Sequence, residues 1–279
     1  MIVSISGDVR CATSQPAILK TGTILASKDS LFLGEKATIT ILEEDGKVTT
    51  YSQSFRLASK SECNPTLQKL LKQGIQSQNW IESAKKKPRN NFRSNTTDNI
   101  SMVYPRNTRL TKLPERLNWT VLTKSESEYE VSIRCYENDF SYDHTTGNNS
   151  LDISSDISLS IGQQYYWFVR DVFSELSEVP SAVWFNVLDT KEIKKLEQER
   201  QTVAFIMNND TLSVAYQMLF ANLLMSYELY DECKSLLDDL SKQDGQNHLL
   251  HTFYAIIYDK MDLISDSRKY IEYTDQYSK

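Results

Sequence analysis

The sequence predicts a multidomain protein that is all-β in its N-terminal part, apart from one connecting helix, and all-α from residue 190 onwards. Short runs in which apolar and polar residues alternate recur up to residue 189, and a helical period replaces them beyond it. The last part also repeats itself at a fixed spacing, which is typical of stacked helical hairpins. A chain of 279 residues is long enough for two or three domains, and its 40% of hydrophobic and 24% of charged residues fit a folded protein.

The net charge and the cysteine spacing exclude several classes of protein. A formal net charge of −6 disfavours general nucleic-acid binding, which needs a basic surface to displace counterions. The four cysteines lie too far apart for a CxxC metal site or redox pair, so we expect buried free thiols at Cys11, Cys63, Cys135 and Cys233. No segment reaches the length of a membrane span. The start, MIVSISGDVR, lacks a signal-peptide pattern, which predicts a cytoplasmic protein or, if a leader has been removed, a periplasmic or cell-envelope one.

Residues 1–60 form the first predicted unit, a small β-domain. Asp45-Gly46 separates two β-branched runs, and this dipeptide is a strong hairpin signal because both turn positions require positive φ. The stretches SLFLGEKATITIL and DGKVTTYSQSFRL resemble the FecR-like β-domain over about 50 residues. The resemblance implies a small β-sandwich of the kind found in bacterial cell-envelope and regulatory proteins.

Residues 61–101 are predicted to connect this domain to the next one. Apolar residues recur at helical spacing between residues 65 and 87, which predicts one amphipathic helix containing Leu67, Leu70, Leu71 and Ile75. The segment KKKPRNNFRSNTTDN that follows is basic and then rich in Asn and Thr, a composition typical of a linker. Its basic run is most simply solvated, and the alternative is a contact for an acidic partner.

Residues 102–189 are predicted to form a second β-sandwich. Leu117 and Trp119 share one face of a strand, and EYEVSIRCYE separates an apolar face from a polar one. The apolar face consists of Tyr129, Val131, Ile133 and Cys135. Together with LSIGQQYYWFVRDV and SAVWFNVL, these strands resemble a fibronectin type III domain, whose early-strand tryptophan corresponds to Trp119.

This resemblance gives the aromatic run YYWF a structural role. Tyr165 corresponds to the corner tyrosine of the family, whose hydroxyl bonds back to the backbone a few residues upstream. Trp167 and Val169 then point into the core, although an isoleucine stands where the family has a proline. Tyr166 and Phe168 face outward or towards a neighbouring domain, and we predict them to be partner-binding residues.

Residues 190–279 are predicted to form a capping helix over about 190–208, followed by two helical repeats. FANLLMSYELYDECKSLLDDL and YAIIYDKMDLISDSRKYIEYT align at an offset of 34 residues, which pairs Ala221 with Ala255. This period, with small residues where two helices cross, resembles a tetratricopeptide repeat, although the tryptophan typical of the family is replaced. The resemblance implies a concave binding surface lined by the first-helix residues Gln217, Asn222, Met225, His251 and Ile256.

Patterns that would indicate catalysis are missing from the sequence. His144 lies in YDHTTGNNS, which predicts a loop, and His248 and His251 have a spacing that can hold a metal but lack an HExxH glutamate. No Walker-type loop, GxGxxG or GxSxG occurs. We therefore predict that the protein is not an enzyme and has no catalytic residue, cofactor or metal site.

The leading hypothesis is a non-catalytic scaffold or adaptor of bacterial type that binds another protein through its C-terminal helical repeats. The alternative is a regulatory protein that sequesters a soluble partner in an anti-sigma-like or inhibitory role, because FecR-like domains also occur in signalling proteins that act on sigma factors. A scaffold of the envelope would bind envelope components, whereas a regulator would bind one soluble partner tightly. Neither hypothesis involves nucleic acid or a transmembrane segment.

Overall fold

The protein is described by a computed structural model at residues 1–12, 19–25, 29–43, 46–57, 64–86, 100–122, 128–153, 157–173, 181–243 and 248–276. A β-rich N-terminal part precedes an all-helical C-terminal part, which confirms the predicted layout at this level. Three features named above lie outside the described residues, namely Asp45, Cys63 and the linker at 87–99.

The first part contains six described strands: β1 (Ile2–Ser6), β2 (Val9–Cys11), β3 (Ser30–Leu33), β4 (Thr38–Leu42), β5 (Val48–Tyr51) and β6 (Phe55–Arg56). They form two antiparallel sheets in the orders β1-β4-β5 and β2-β3-β6. Side chains from both sheets meet in a small core of Ile2, Leu31, Ile39 and Ile41. The predicted hairpin is confirmed, since Leu42 pairs with Val48 and Gly46 adopts a φ of +88°, a conformation that glycine tolerates without steric cost.

The second β-unit contains eight described strands: β7 (Ile100–Tyr104), β8 (Thr108–Leu110), β9 (Arg116–Val121), β10 (Tyr129–Cys135), β11 (Phe140–Thr146), β12 (Ser150–Asp152), β13 (Gln164–Asp171) and β14 (Val183–Val187). They form a five-stranded sheet in the order β11-β10-β13-β14-β8 and a three-stranded sheet in the order β12-β9-β7. The β14–β8 pair is parallel and the other pairs are antiparallel. Both sheets contribute to one core, so the unit is a β-sandwich.

The alternation predicted for this unit is confirmed. Trp119 is 3% exposed and Trp167 is fully buried, with its indole Nε1 donating a hydrogen bond to the carbonyl oxygen of Pro105 at 2.8 Å. The hydroxyl of Tyr165 accepts a hydrogen bond from the backbone N–H of Ser160 at 2.7 Å, as the corner interpretation requires. Trp167 and Tyr165 therefore each have a hydrogen-bond partner in the backbone of the sandwich.

The segment around His144 is strand β11, and the loop prediction was wrong. Its backbone pairs with β10 at every residue from Phe140 to Thr146, while most of its side chains are exposed. An edge strand of this kind shows little alternation of hydrophobicity, so the sequence pattern did not reveal it.

Six helices are described: α1 (Pro65–Lys86), α2 (Thr190–Ile206), α3 (Val214–Ser226), α4 (Tyr230–Gln243), α5 (His248–Lys260) and α6 (Ile264–Gln276). A capping box begins α2, in which the Asp189 side chain accepts from the Glu192 N–H at 2.8 Å and the Glu192 side chain accepts from the Asp189 N–H at 3.2 Å. The helices α3 and α4 form one hairpin, and α5 and α6 form a second. Each helix of the second hairpin begins 34 residues after its counterpart in the first.

The two hairpins also repeat their internal contacts. The Cys233 thiol donates to the carbonyl oxygen of Ala221 at 3.4 Å, and the Ser267 hydroxyl donates to the equivalent oxygen of Ala255 at 2.8 Å. All four residues are buried, and alanine side chains let the paired helices approach closely enough for these bonds. The 34-residue repeat is therefore a repeat of structure as well as of sequence.

Helix α1 is built into the helical part of the molecule. It packs against α2, α3, α5 and α6, and Leu67, Leu70 and Leu71 belong to the same core as the two hairpins. The amphipathic helix predicted from the sequence thus buries these three leucines in a core that it shares with the first helices of both repeats.

Candidate interaction surfaces

Aromatic side chains lie on the outer face of the five-stranded sheet, opposite the sandwich core. Tyr166 on β13 is paired in register with Trp184 on β14, and Phe168 lies one step along the same face. All three are partly exposed. The ring of Tyr136, which is 75% exposed, lies 5.3 Å from the ring of Tyr166. We call these four residues the outer aromatic face, and it contains both sandwich residues predicted to bind a partner.

Charged groups on the same sheet are paired with one another. Arg134 lies 2.7 Å from Asp143, and Arg170 lies 2.7 Å from Glu130. Burial alone would raise the pKa of Asp143, but hydrogen bonds from Ser132 and Arg134 outweigh it and lower the pKa below its ordinary value. The outer face therefore carries aromatic rings next to charged side chains that are paired with each other.

The predicted concave surface of the repeats is largely internal. Asn222, Met225 and Ile256 are buried, with exposed fractions of 3%, 8% and 6%. Gln217 is partly exposed and donates to the carbonyl oxygen of Leu212 at 3.4 Å. The physical reason is that α1 packs against α3 and α5, the helices that would line this surface.

His251 belongs to a cluster of rings between α5 and α6 that the sequence analysis missed. Its ring lies 5.8 Å from Tyr270 and 5.5 Å from Tyr273. Tyr270 also stacks on Tyr254 at 4.7 Å, and the Tyr254 hydroxyl donates to Asp238 at 2.7 Å. Burial is the main cause that raises the pKa of Tyr254, so its hydroxyl remains a donor. The sequence does contain a sign of this cluster, because two consecutive helices each carry tyrosines three or four residues apart, on one helix face.

A segment of the sandwich, made of the loop at Arg106 and the start of β8, is bound to both helical hairpins. The backbone N–H of Arg109 donates to the carbonyl oxygen of Glu228 at 2.9 Å, and Thr108 Oγ1 lies 3.1 Å from the same oxygen. Arg106 donates to the carbonyl oxygen of Asp262 at 3.1 Å. Glu228 and Asp262 occupy equivalent turns of the repeat, with φ of 61° and 58°. The sandwich therefore contacts the same backbone feature twice, and we call this region the junction.

Thr108 also caps α4 from outside the helical part. Its Oγ1 accepts the backbone N–H of Tyr230, the first residue of α4, at 2.9 Å, and Thr108 is fully buried. We expect Thr108→Val to lower the free energy of unfolding by about 1–2 kcal/mol, because a buried helix-terminal N–H loses its acceptor. Chemical denaturation of the full chain measures this change.

The control for this prediction is Thr120→Val, a change of the same atoms at an exposed position. A loss of stability no larger for Thr108→Val than for Thr120→Val would contradict the capping role.

Two partly buried acidic residues lie in the first turn of α4 at the junction. Glu232 accepts from the backbone N–H of Thr111 at 3.0 Å, while Asp231 Oδ2 and Glu232 Oε2 are buried with no hydrogen-bond partner among the described residues. The pKa of Asp231 is raised to about 7, mainly by burial and secondly by the negative charge of Glu232. The pKa of Tyr104 is raised to about 12, mainly by burial and secondly by the negative charges of these two acids. The interactions pass between distant segments, so spacing along the sequence gave no sign of them.

A cavity of about 480 Å³ opens beside Tyr104, and its other lining residues are Lys112, Glu115, Arg116 and Asp152. Lys112 is paired with Glu115 at 2.8 Å, and Arg116 is paired with Asp152. Within the described ranges, no group of three His, Cys, Asp or Glu side chains is arranged to hold a metal ion. The cavity is thus lined by paired charges on exposed side chains.

Comparison with protein-family models finds no match, and neither does comparison with curated proteins. None of the helices in the described part of the chain has the length and apolar character needed to cross a bilayer.

Proposed function

We propose that this chain is a non-catalytic protein-interaction module, a scaffold or adaptor, whose principal binding surface is the outer aromatic face. The observation that carries the proposal is a set of solvent-accessible rings on the otherwise polar outer face of the sheet, namely the exposed Tyr136 and the partly exposed Tyr166, Phe168 and Trp184. Tyr and Trp are enriched among the residues that dominate binding energy, because they bury a large area at a small cost in side-chain entropy. The neutralised charges around the rings suit the rim of such an interface.

The helical part supports this surface in the proposal and contributes secondary contacts. Its groove-side residues belong to its own core, while Gln217 and His251 keep part of their surface exposed. The junction fixes the sandwich to both hairpins through backbone carbonyl groups. A partner held by the sheet therefore meets the helical part in a defined orientation.

We propose a family resemblance for each of the three units of the chain. The tyrosine corner and the two-sheet arrangement support a fibronectin type III-like sandwich. The 34-residue spacing of the hairpins supports a tetratricopeptide-like pair. The two small N-terminal sheets support a FecR-like domain, and together these assignments favour a modular protein of bacterial type.

The test is capture of a partner by the tagged full chain from an extract of its source cells, followed by affinity measurements with the purified partner. We expect Phe168→Ala and Trp184→Ala each to weaken binding by about tenfold or more, as hot-spot truncations do. Phe205→Ala is the matched control, because Phe205 is an aromatic residue that is 77% exposed on α2. Binding that survives both sheet variants and is lost in Phe205→Ala would place the surface on the helical part instead.

A further inference from the structure

Most edge strands of the described sheets carry features that prevent further pairing. The edges β2, β5, β6, β8 and β12 are two to four residues long. The five-residue edges β1 and β7 each contain an irregularity in register. Short length and bulges are the usual means by which proteins keep sheet edges from pairing with other chains.

Strand β11 lacks both features. It is seven residues long, and its register with β10 runs without a break from Tyr129 opposite Thr146 to Cys135 opposite Phe140. Its sequence, FSYDHTT, contains no lysine, proline or glycine. It is the terminal strand of its sheet. Among the described elements, β10 is the one with which it makes extensive contact. Its outer edge therefore presents a regular row of backbone donors and acceptors.

The side chains of β11 define what a neighbouring strand would meet. Asp143 lies on the outer face, where Ser132 and Arg134 both donate to its Oδ1. Among the described residues no donor reaches its Oδ2, and the side chain is 48% exposed, so this oxygen can still accept from a basic residue on a neighbouring strand. The rings of Tyr142 and His144 lie at the alternate positions and stack at 6.2 Å. A neighbouring strand would match both faces of β11 if it placed a basic residue opposite Asp143 and β-branched apolar residues beside Tyr142 and His144.

A second copy of this chain matches this edge less well. In a fully overlapping antiparallel pair of two β11 strands, the symmetry axis passes through the middle residue, Asp143. Each Asp143 would then lie opposite its own copy, and like charges directly opposite each other destabilise a strand pair.

We propose that β11 is a docking edge to which an extended segment of another protein, with a basic residue opposite Asp143, adds as a sixth strand. Backbone hydrogen bonds supply affinity in this mode, and alternate side chains supply specificity. The proposal deepens the proposed function, on which it rests for the claim that the sandwich meets another protein.

The first test uses defined peptides, so it does not depend on the native partner. The full chain is titrated into fluorescein-labelled Thr-Val-Thr-Val-Lys-Val-Thr-Val-Thr and into the same peptide with Glu at its centre, and fluorescence anisotropy is read. We expect the Lys peptide to bind roughly two- to tenfold more tightly than the Glu peptide. In Asp143→Lys this order should reverse, and in Asp143→Asn, the milder variant if the first fails to fold, the preference should disappear.

The control is Glu137→Lys, which makes the same change of charge at an exposed position in the turn before β11. It should leave the order of the two peptides unchanged. Absence of binding to either peptide would overturn the proposal, and so would a preference that Asp143→Lys does not alter. A dimer that is seen in sedimentation and competes with the peptides would assign the edge to a second copy.

The two proposals fail in different ways. Peptide binding with the expected charge preference, together with native capture that Phe168→Ala and Trp184→Ala do not weaken, would reject the outer aromatic face and keep the β11 edge. Loss of native capture in those variants, with no peptide binding, would reject the β11 edge and keep the outer aromatic face.

Discussion

Replacing Trp167 with alanine is expected to lower the free energy of unfolding by about 3–5 kcal/mol, the range typical of a large buried aromatic side chain. Trp167 is fully buried in the sandwich, and its indole N–H donates to the carbonyl oxygen of Pro105 at 2.8 Å. The substitution leaves a cavity and also removes the donor for a buried carbonyl group. Chemical denaturation followed by circular dichroism measures the effect on the full chain.

Trp184→Ala is the matched control for this prediction. Trp184 lies on the neighbouring strand β14 but on the opposite face of the same sheet, where it is partly exposed. We expect a loss of no more than about 1 kcal/mol, as is usual away from the core. Equal losses in the two variants would contradict the assignment of the inner and outer faces.

Asp231→Asn is expected to stabilise the protein above neutral pH, by roughly 2 kcal/mol at pH 8. Burial raises the pKa of Asp231 in the folded state to about 7, whereas its ordinary value is 3.8. The folded state therefore binds this proton more tightly, so the contribution of Asp231 to stability falls as the pH rises from about 4 to about 7. Asparagine cannot ionise, so the variant escapes this loss.

The full shift would correspond to about 4 kcal/mol, but two effects reduce it. Asp231 retains some contact with solvent, and the first turn of a helix favours a negative charge by about 0.3–1 kcal/mol. The measurement is the free energy of unfolding of wild type and variant from pH 4 to pH 8. Their difference should be near zero at pH 4, should grow up to about pH 7 and should level off above it.

Asp239→Asn serves as the control for the pH dependence. Asp239 lies on the same helix, but its side chain is 69% exposed and paired with Lys242. We expect this variant to run parallel to wild type across the pH range. A parallel curve for Asp231→Asn as well would show that the buried carboxyl group does not govern the stability of the junction.

The sandwich was the part that the sequence described best, because inward positions alternate strictly along β10 and β13. Val131, Ile133, Trp167 and Val169 follow this alternation, and each is buried. The spacing of the repeat was also clear from the sequence, because a small residue, Ala221 or Ala255, stands where the two helices of each hairpin approach closely. In both cases a local pattern determines the structure.

The sequence could not show what the amphipathic helix α1 packs against. Leu67, Leu70 and Leu71 show that one face is buried, but they do not identify its neighbours. For this reason Met225 and Ile256 were assigned to an open groove, whereas both lie in the core that α1 shares. The junction was hidden for a related reason: Arg106 and Arg109 bind backbone carbonyl groups, which every residue type possesses.

Because the junction is made through main-chain groups, it places few demands on the amino-acid sequence of the two turns that it contacts. The junction holds the chain at residues 228 and 262 by their main-chain oxygens, so their side chains are not part of the contact. A duplicated hairpin of 34 residues, inserted after the first one, would present the same main-chain oxygen at the same place. The contact with the sandwich therefore depends on the positions of these two turns, and it tolerates changes of residue type in them and the addition of a whole hairpin.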